Sequence, residues 1–562
     1  MIRKAFPLFL VVSLISTAIT AQKVVYQKGY FRYPLDIPAK LNANFGEMRP
    51  NHFHMGLDLF TLRKENLPVY AAADGYISKI KIETSGFGNA IYIAHPNGTT
   101  TLYAHMNGFY PDLAKYIKDQ QYKLESWALD IEIPKSRLPV KKGDFIGPSG
   151  NTGASQGPHV HFEIRETETD KCLNPLLFGF NIPDAVHPQI HKLAIYDRNR
   201  SIYEQSPILI PVIKTSAGRY KATVPILNTD LIQVAIHATD QMSNAPNQNG
   251  IYKTILKVNG KSVGGFTIDR ISYGETRYLN AHIDHKYKAA GGAYLQLLTP
   301  LTGDQLDIYP YSSPGTGVRI PQGAQVPCTI EVYDSDGNKS ILEFTLQSIG
   351  KTPNAIAANT ILMKADEANI YENEDIEVYL PEGMIYDSIN FRYSKMDPGT
   401  GNVFSAMHQL HDSKIPVHGG MKIRIKANKI IPFPLRSKML IKLKTNSRTI
   451  VKKANWSIDK FGAEFRDFGT FQLIADDKAP VITGLSNGAK VAGKITIYVT
   501  DDNGVVKNFR GEIDEKWVLF EQRGGSYTYK LDERCPPGEH IVKISVEDEA
   551  GNKSIQEFKI IR

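Results

Sequence analysis

The stretch Gly157-Pro158-His159-Val160-His161-Phe162-Glu163-Ile164-Arg165 admits few folds. Its apolar residues fall on every second position. As a strand it therefore puts Val160, Phe162 and Ile164 on one face and His159, His161, Glu163 and Arg165 on the other. The first face belongs to a core. The second carries chemistry, because two imidazoles on alternate residues point into one space, where one binds a metal and its neighbour hydrogen-bonds whatever the metal holds. A lone His-x-His pair also occurs by chance on surface strands, so the reading depends on partners elsewhere.

Those partners lie upstream. His54 and Asp58 are four residues apart, but Gly56 and the turn residues Arg49-Pro50-Asn51 argue for loop and strand rather than helix. Residues separated by an even number still share a strand face. His52 is a rival to His54 that lacks the Gly56 and Asp58 context, and it is read as a groove or surface residue. Ala90 to His95, the turn Pro96-Asn97-Gly98 and Thr99 to His105 form a hairpin. Alternation on the returning strand puts Thr101, Tyr103 and His105 on one face, opposite Leu102 and Ala104. Between Gly108 and Leu138 the strand rhythm breaks into a partly helical pattern of Leu113, Tyr116, Ile117, Tyr122, Leu124 and Trp127. This segment is read as an insertion at the edge of a groove, placed to wall or cover it. A hydrolytic zinc site needs three protein ligands, an open position for water and polar groups that manage protons. His54, Asp58, His105, His159 and His161 are enough to build one.

Residues 41–180 resemble the lysostaphin-type (LytM-type) zinc metallopeptidases, which cut peptide bridges of bacterial peptidoglycan. The matching elements are Phe45-Gly46 and Arg49 before His54-x-Gly56-x-Asp58, Val69-x-Ala71-Ala72-x-Asp74-Gly75, Gly88-Asn89, Tyr103-x-His105, Lys142-Gly143-Asp144, and Gly150-Asn151-Thr152-Gly153 through Glu163. The resemblance implies an antiparallel β-sheet peptidase domain in which His54, Asp58 and His161 bind Zn2+. It implies that His105 and His159 act on a metal-activated water and the tetrahedral intermediate, with the identity of the general base left open. The activity it implies is that of a zinc metalloendopeptidase hydrolysing cross-bridges or stem peptides of peptidoglycan. The alternative is a catalytically silent wall-binding or amidase-activating envelope protein; no ligand of the motif is missing, which favours the enzyme. Glu163 and Arg165 are read as a structural ion pair or groove rim, Arg49 as a turn residue or a carboxylate binder, and Tyr103 as either a core tyrosine or a substrate contact.

At 562 residues the chain is too long for one core. Beyond His187 it reads as short alternating strands with frequent turns, as expected of immunoglobulin-like β-sandwich modules. The expected division is a signal peptide at 1–21, a peptidase domain at 22–186 with its insertion at 108–138, and β-sandwich modules at 187–352, 353–479 and 480–562. A weak repeat supports the modules. Val332 to Ser340 and Val546 to Ser554 share an Asp, Gly-Asn-Lys-Ser pattern at a strand junction, while Thr239-Asp240 and Thr500-Asp501 look like matching strand ends. Met1-Ile2-Arg3-Lys4, the apolar run Phe6 to Ile19 and Thr20-Ala21-Gln22 have the order of a secretory signal, so export to the periplasm or envelope is expected. A formal charge of +8 with scattered Lys and Arg argues against nucleic acid and leaves peptidoglycan, with envelope proteins, as the expected partners. Cys172, Cys328 and Cys535 fall in separate modules and make no disulfide framework.

Overall fold

The computed structural model describes residues 26–243, 245–350, 360–504 and 506–562. The signal-peptide reading of residues 1–21 and the boundary near Pro353 lie outside them. The protein is mainly β, as expected, with 45% strand and 7% helix.

One antiparallel sheet organises the first part of the chain. Its strands are β1 (Leu41–Ala43), β2 (Leu57–Phe60), β3 (Gly75–Ile82), β4 (Asn89–Ala94), β5 (Thr99–Ala104), β6 (Leu129–Glu132) and β7 (His159–Glu166). Across the sheet they run β1-β2-β7-β5-β4-β3, with β6 and Pro139–Val140 pairing onto β3. Strand β7 is therefore interior, held by β2 on one side and β5 on the other. Val160, Phe162 and Ile164 are wholly buried in the core, as the alternation requires. Its polar face is also enclosed, with Glu163 and Arg165 buried.

Register fixes what faces the polar side. His161 lies directly across from Asp58 on β2 and from Ala104 on β5, so those residues share its face. Phe162 lies across from Tyr103, which puts Tyr103 on the core side, where its hydroxyl accepts from the Ala72 amide at 2.7 Å. Tyr103 is thus a core tyrosine. This corrects the expected placement of His105, since strict alternation would send His105 into the core beside Tyr103. The strand ends at Ala104, and His105 takes a left-handed backbone with φ 60°, which turns its ring back to the histidines of β7.

The segment at 108–138 needs a second correction. It does form a helix, α1 (Pro111–Leu124), opened by a proline in the first turn and burying Leu113, Ile117 and Gln121 along one stripe. None of it lines the cleft above the histidines. Strand β6 extends the sheet at the far edge, and α1 meets the last part of the chain. Tyr122 donates to Asp532 at 2.9 Å and meets the Trp517 ring edge-on, Lys118 pairs with Asp532, and Glu125 with Arg510. The reason is local: β3 is an open edge that β6 pairs, carrying the helix away from β7. Replacing Tyr122 with Ala should weaken this clasp by about 1–2 kcal/mol. Limited proteolysis around residues 476–480 would then release the last part of the chain faster.

The remaining chain builds pairs of sheets. Residues 187–350 contribute a five-stranded and a six-stranded sheet, residues 360–476 two five-stranded sheets with a small added pair, and residues 480–562 a four-stranded and a five-stranded sheet. One apolar core runs continuously from Phe31 to Ala475, while Ile482 to Ile560 enclose their own. The first two parts are also joined by backbone, since Cys172–Leu173 pairs with Arg270–Ile271. That crossing carries Tyr273 toward the polar face of β7.

Candidate metal centre

Three side chains converge on one point. His54 Nε2, Asp58 Oδ1 and His161 Nδ1 lie 2.9 Å from one another along every edge of a triangle. Asp58 and His161 are brought together by strand register, and His54 by the loop before β2. Gly56 permits that loop to lie against β7, because a side-chain carbon there would sit 2.4 Å from the Phe162 carbonyl oxygen.

The outer ring atoms decide what the inner ones are. His54 Nδ1–H donates to the Asn44 carbonyl at 2.7 Å, and His161 Nε2–H donates to Glu163 Oε1 at 2.8 Å. In the neutral rings each inner nitrogen is therefore a bare lone pair, facing the other and a carboxylate oxygen. Three acceptors this close repel unless a cation lies among them. Two imidazole nitrogens and one carboxylate oxygen form a donor set suited to zinc, and the residues fit that ion. Without the ion, a proton on His161 supplies that positive charge. Burial works against charge on His161, yet hydrogen bonds to Asp58 and Glu163 outweigh it and push the imidazole up to about 9. His54, by contrast, is pushed down to about 4 by burial.

Behind the triangle stands a buried chain of charged side chains. Burial would raise the Glu163 carboxyl, but Arg165 and then His161 overcome it and hold the group at about 2. Arg165 Nε donates to Glu163 at 2.6 Å, and the Tyr273 hydroxyl adds a bond of 2.5 Å. Arg49 donates to the outer oxygen of Asp58 at 2.6 Å and also pairs with Glu47. The ion pair read for Glu163 and Arg165 is present, and Arg49 braces Asp58. Tyr273 had no signal in the sequence, being 110 residues from its partner. Replacing Glu163 with Gln should weaken metal binding about 10–100-fold. Competition against a chromogenic chelator measures this, and unchanged affinity would show that the carboxylate does not tune His161.

His105 and His159 flank the triangle with ring centres 4.7 Å apart. His159 Nδ1–H donates to the Gly157 carbonyl at 2.8 Å, and its Nε2 reaches within 3.4 Å of Asp58 Oδ1. His105 Nδ1–H donates to the Thr152 carbonyl at 2.8 Å. That carbonyl is positioned where Gly153 packs so closely on Gly88 that a side-chain carbon would meet the Gly88 nitrogen at 2.3 Å. Burial, with His161 and His159 alongside, pushes His105 down to about 3. His105 thus presents a bare Nε2, and His159 directs its Nε2 toward Asp58. Above them lies a cleft of about 760 Å³ lined by Asp58, His105, His159, Arg49, Glu47 and Arg63, with Pro246 and Asn247 at its rim. His52 also borders the cleft but is exposed and bonded to the Pro50 carbonyl, away from the triangle. His95 is buried and tied to Asp74 and Thr101.

Residues 52–122 and 131–175 match the profile of peptidase family M23. The chain carries an M23 peptidase domain. A second region, residues 360–476, matches a Zu5-like domain. The M23 domain is similar to the DD-carboxypeptidase/endopeptidase Mpg of Neisseria meningitidis serogroup B, at 32% identity over 167 residues, covering 29% of this chain and 32% of that one. It is similar to the peptidoglycan DD-endopeptidase ShyC of Vibrio cholerae at 29% identity, covering 25% and 27%. Among solved structures it matches the catalytic domain of the antimicrobial peptidase lysostaphin from Staphylococcus simulans, at 24% identity and a TM-score of 0.19, covering 25% of this chain and 91% of that one. The matched region spans about a third or less of these curated relatives' length.

Proposed function

We propose that this protein is a zinc-dependent endopeptidase that hydrolyses peptide cross-bridges or stem peptides of bacterial peptidoglycan. The observation that carries the reading is the triangle of three acceptors, His54, Asp58 and His161, whose Asp58 lines a cleft together with two further imidazoles. The named activities of the M23 relatives support it. When bound, the ion acts as a Lewis acid and lowers the pKa of its water toward about 7. The protein's own groups do the rest. Each of His159 and His105 spends its Nδ1–H on a backbone carbonyl, which leaves Nε2 as the atom that faces the reaction, and burial keeps His105 neutral. One takes the proton shed by the attacking water; once charged, it is a donor able to return that proton to the leaving amine. The other orients the nucleophile and hydrogen-bonds the reacting oxygen. Arg49 and Glu163 are positioning residues, and the basic cleft residues Lys40 and Arg63 suit a peptide bearing carboxylates.

The setting is the cell envelope after export. Among the described residues no helix is long and apolar enough to cross a membrane. The parts beyond residue 187 act as targeting or partner-binding modules. Incubating the zinc-loaded protein with purified peptidoglycan and separating the products by mass should show newly freed stem or bridge termini. Full zinc content with no cleavage, identical in His105→Asn, would turn the assignment to a silent wall-binding protein.

A further inference from the structure

The junction between the M23 domain and the next pair of sheets holds a second group of metal-suited side chains. Asp184 lies on the connecting segment, Asp240 at the end of the strand Leu231–Thr239, and Asp334 in the turn after Gln325–Tyr333. One carboxylate oxygen from each lies within 4.8 Å of those of the other two. Acidic clusters are common, and this one is set apart by what its buried groups lack. Asp240 is 2% exposed, and its Oδ1 has no hydrogen-bond partner among the described residues. Asn249 is also 2% exposed, with neither amide atom partnered. It stands directly across an antiparallel bridge from Asp240, so the two side chains leave the same side of the backbone. Oδ2 of Asp184 is a third buried oxygen without a partner. No Lys or Arg forms an ion pair with Asp184, Asp240 or Asp334 among the described residues. A buried carboxylate left in that state is costly unless something positive satisfies it.

We propose that Asp184, Asp240 and Asp334, with the amide oxygen of Asn249, bind a divalent cation of the calcium class. Every donor is a hard oxygen, and neither nitrogen nor sulfur is present, which disfavours zinc. Donors drawn from three separate loops and spread over several ångströms suit a large ion of flexible coordination better than magnesium, which demands a tight octahedron. The rest of Asp334 is already committed in a way that aims the group. Its Oδ1 accepts from the amides of Asp336, Gly337 and Asn338, and Oδ2 from the Asn338 side chain, which also reaches the Asp184 carbonyl.

The same scaffold recurs before the last part of the chain. Asp476, Asp501 and Asp548 form the equivalent triad, the Asn552 side chain bonds Asp548 and the Asp476 carbonyl, and Ser554 bonds Pro480 as Ser340 bonds Pro188. There the Asn503 side chain donates to Asp476 at 2.6 Å, and we assign no ion to it. At the first junction the ion has a structural consequence. It ties down the segment that carries Pro246 and Asn247 to the cleft rim and Gly250 to Asn44, whose carbonyl orients His54.

The test uses the whole protein, stripped of metal and titrated with calcium chloride up to about 1 mM, the range of weak extracellular calcium sites. Equilibrium dialysis with radioactive calcium and the thermal midpoint are read together. Wild type should take up calcium and melt at a higher temperature. Asp240→Asn should lose one equivalent and most of the thermal shift, while melting no lower than wild type without calcium, because it removes a buried carboxyl whose Oδ1 has no partner among the described residues. Asp184→Asn, at a less buried position, should show the same loss and stands in if Asp240→Asn does not fold. His54→Ala should bind calcium like wild type, which separates this site from the triangle. No calcium uptake by the wild type, uptake by both aspartate variants equal to that of the wild type, or uptake abolished by His54→Ala would each overturn the proposal.

Discussion

Replacing His161 with Ala is expected to reduce bound zinc to background and to abolish peptidoglycan cleavage. The ring sits at the middle of the arrangement, with one nitrogen 2.9 Å from both His54 and Asp58 and the other fixed by Glu163. Without it two donors remain, fewer than a zinc site needs. The ion's effect on water acidity spans roughly nine pKa units, so the rate should fall by at least about 10⁴-fold. Glu163 keeps Arg165 and Tyr273 as partners in the variant. Metal analysis of the folded variant decides the matter: zinc retained at one equivalent would place the ion elsewhere.

Much of this site was legible because it depends on register. The period of β7 predicts which of its residues face the chemistry, and Asp58 follows because it sits across from His161. His105 was legible as a residue but not as a direction. Alternation carried one residue too far puts it in the core with Tyr103, and nothing in the local pattern announces the left-handed backbone that reverses it. That reversal comes from contacts remote in sequence, the His105 amide on the Phe87 carbonyl and its ring on Thr152. Tyr273 and the docking of α1 on Asp532 fail for the same reason, since both join segments with no shared periodicity. The helix itself was readable from Leu113 and Ile117; its destination was not. The Asp-x-x-Gly-Asn repeat showed as a strand junction, while the unpartnered oxygens that give the first copy chemical meaning appear once Asn249 is brought opposite Asp240.

The second large effect separates catalysis from metal binding. His105 and His159 touch the triangle without belonging to it, so their loss should leave zinc in place and lower kcat by about 10²–10⁴-fold each. For His105 the informative replacement is Asn. Its backbone is left-handed, which Asn tolerates, whereas Ala would add strain unrelated to proton transfer. His159 has ordinary strand geometry and can be replaced by Ala. If the two rings serve one proton path, the double variant should be little worse than the more damaging single one. The pH dependence of kcat/KM then assigns the roles. The base must be neutral to act, so activity falls as pH drops through its pKa, and that acid limb should vanish in whichever variant has lost it. The orienting ring leaves the limb in place when removed and lowers the plateau. An acid limb unchanged in both variants, with zinc intact, would move the proton acceptor to another cleft carboxylate, of which Glu47 is the one that burial already pushes up to about 7.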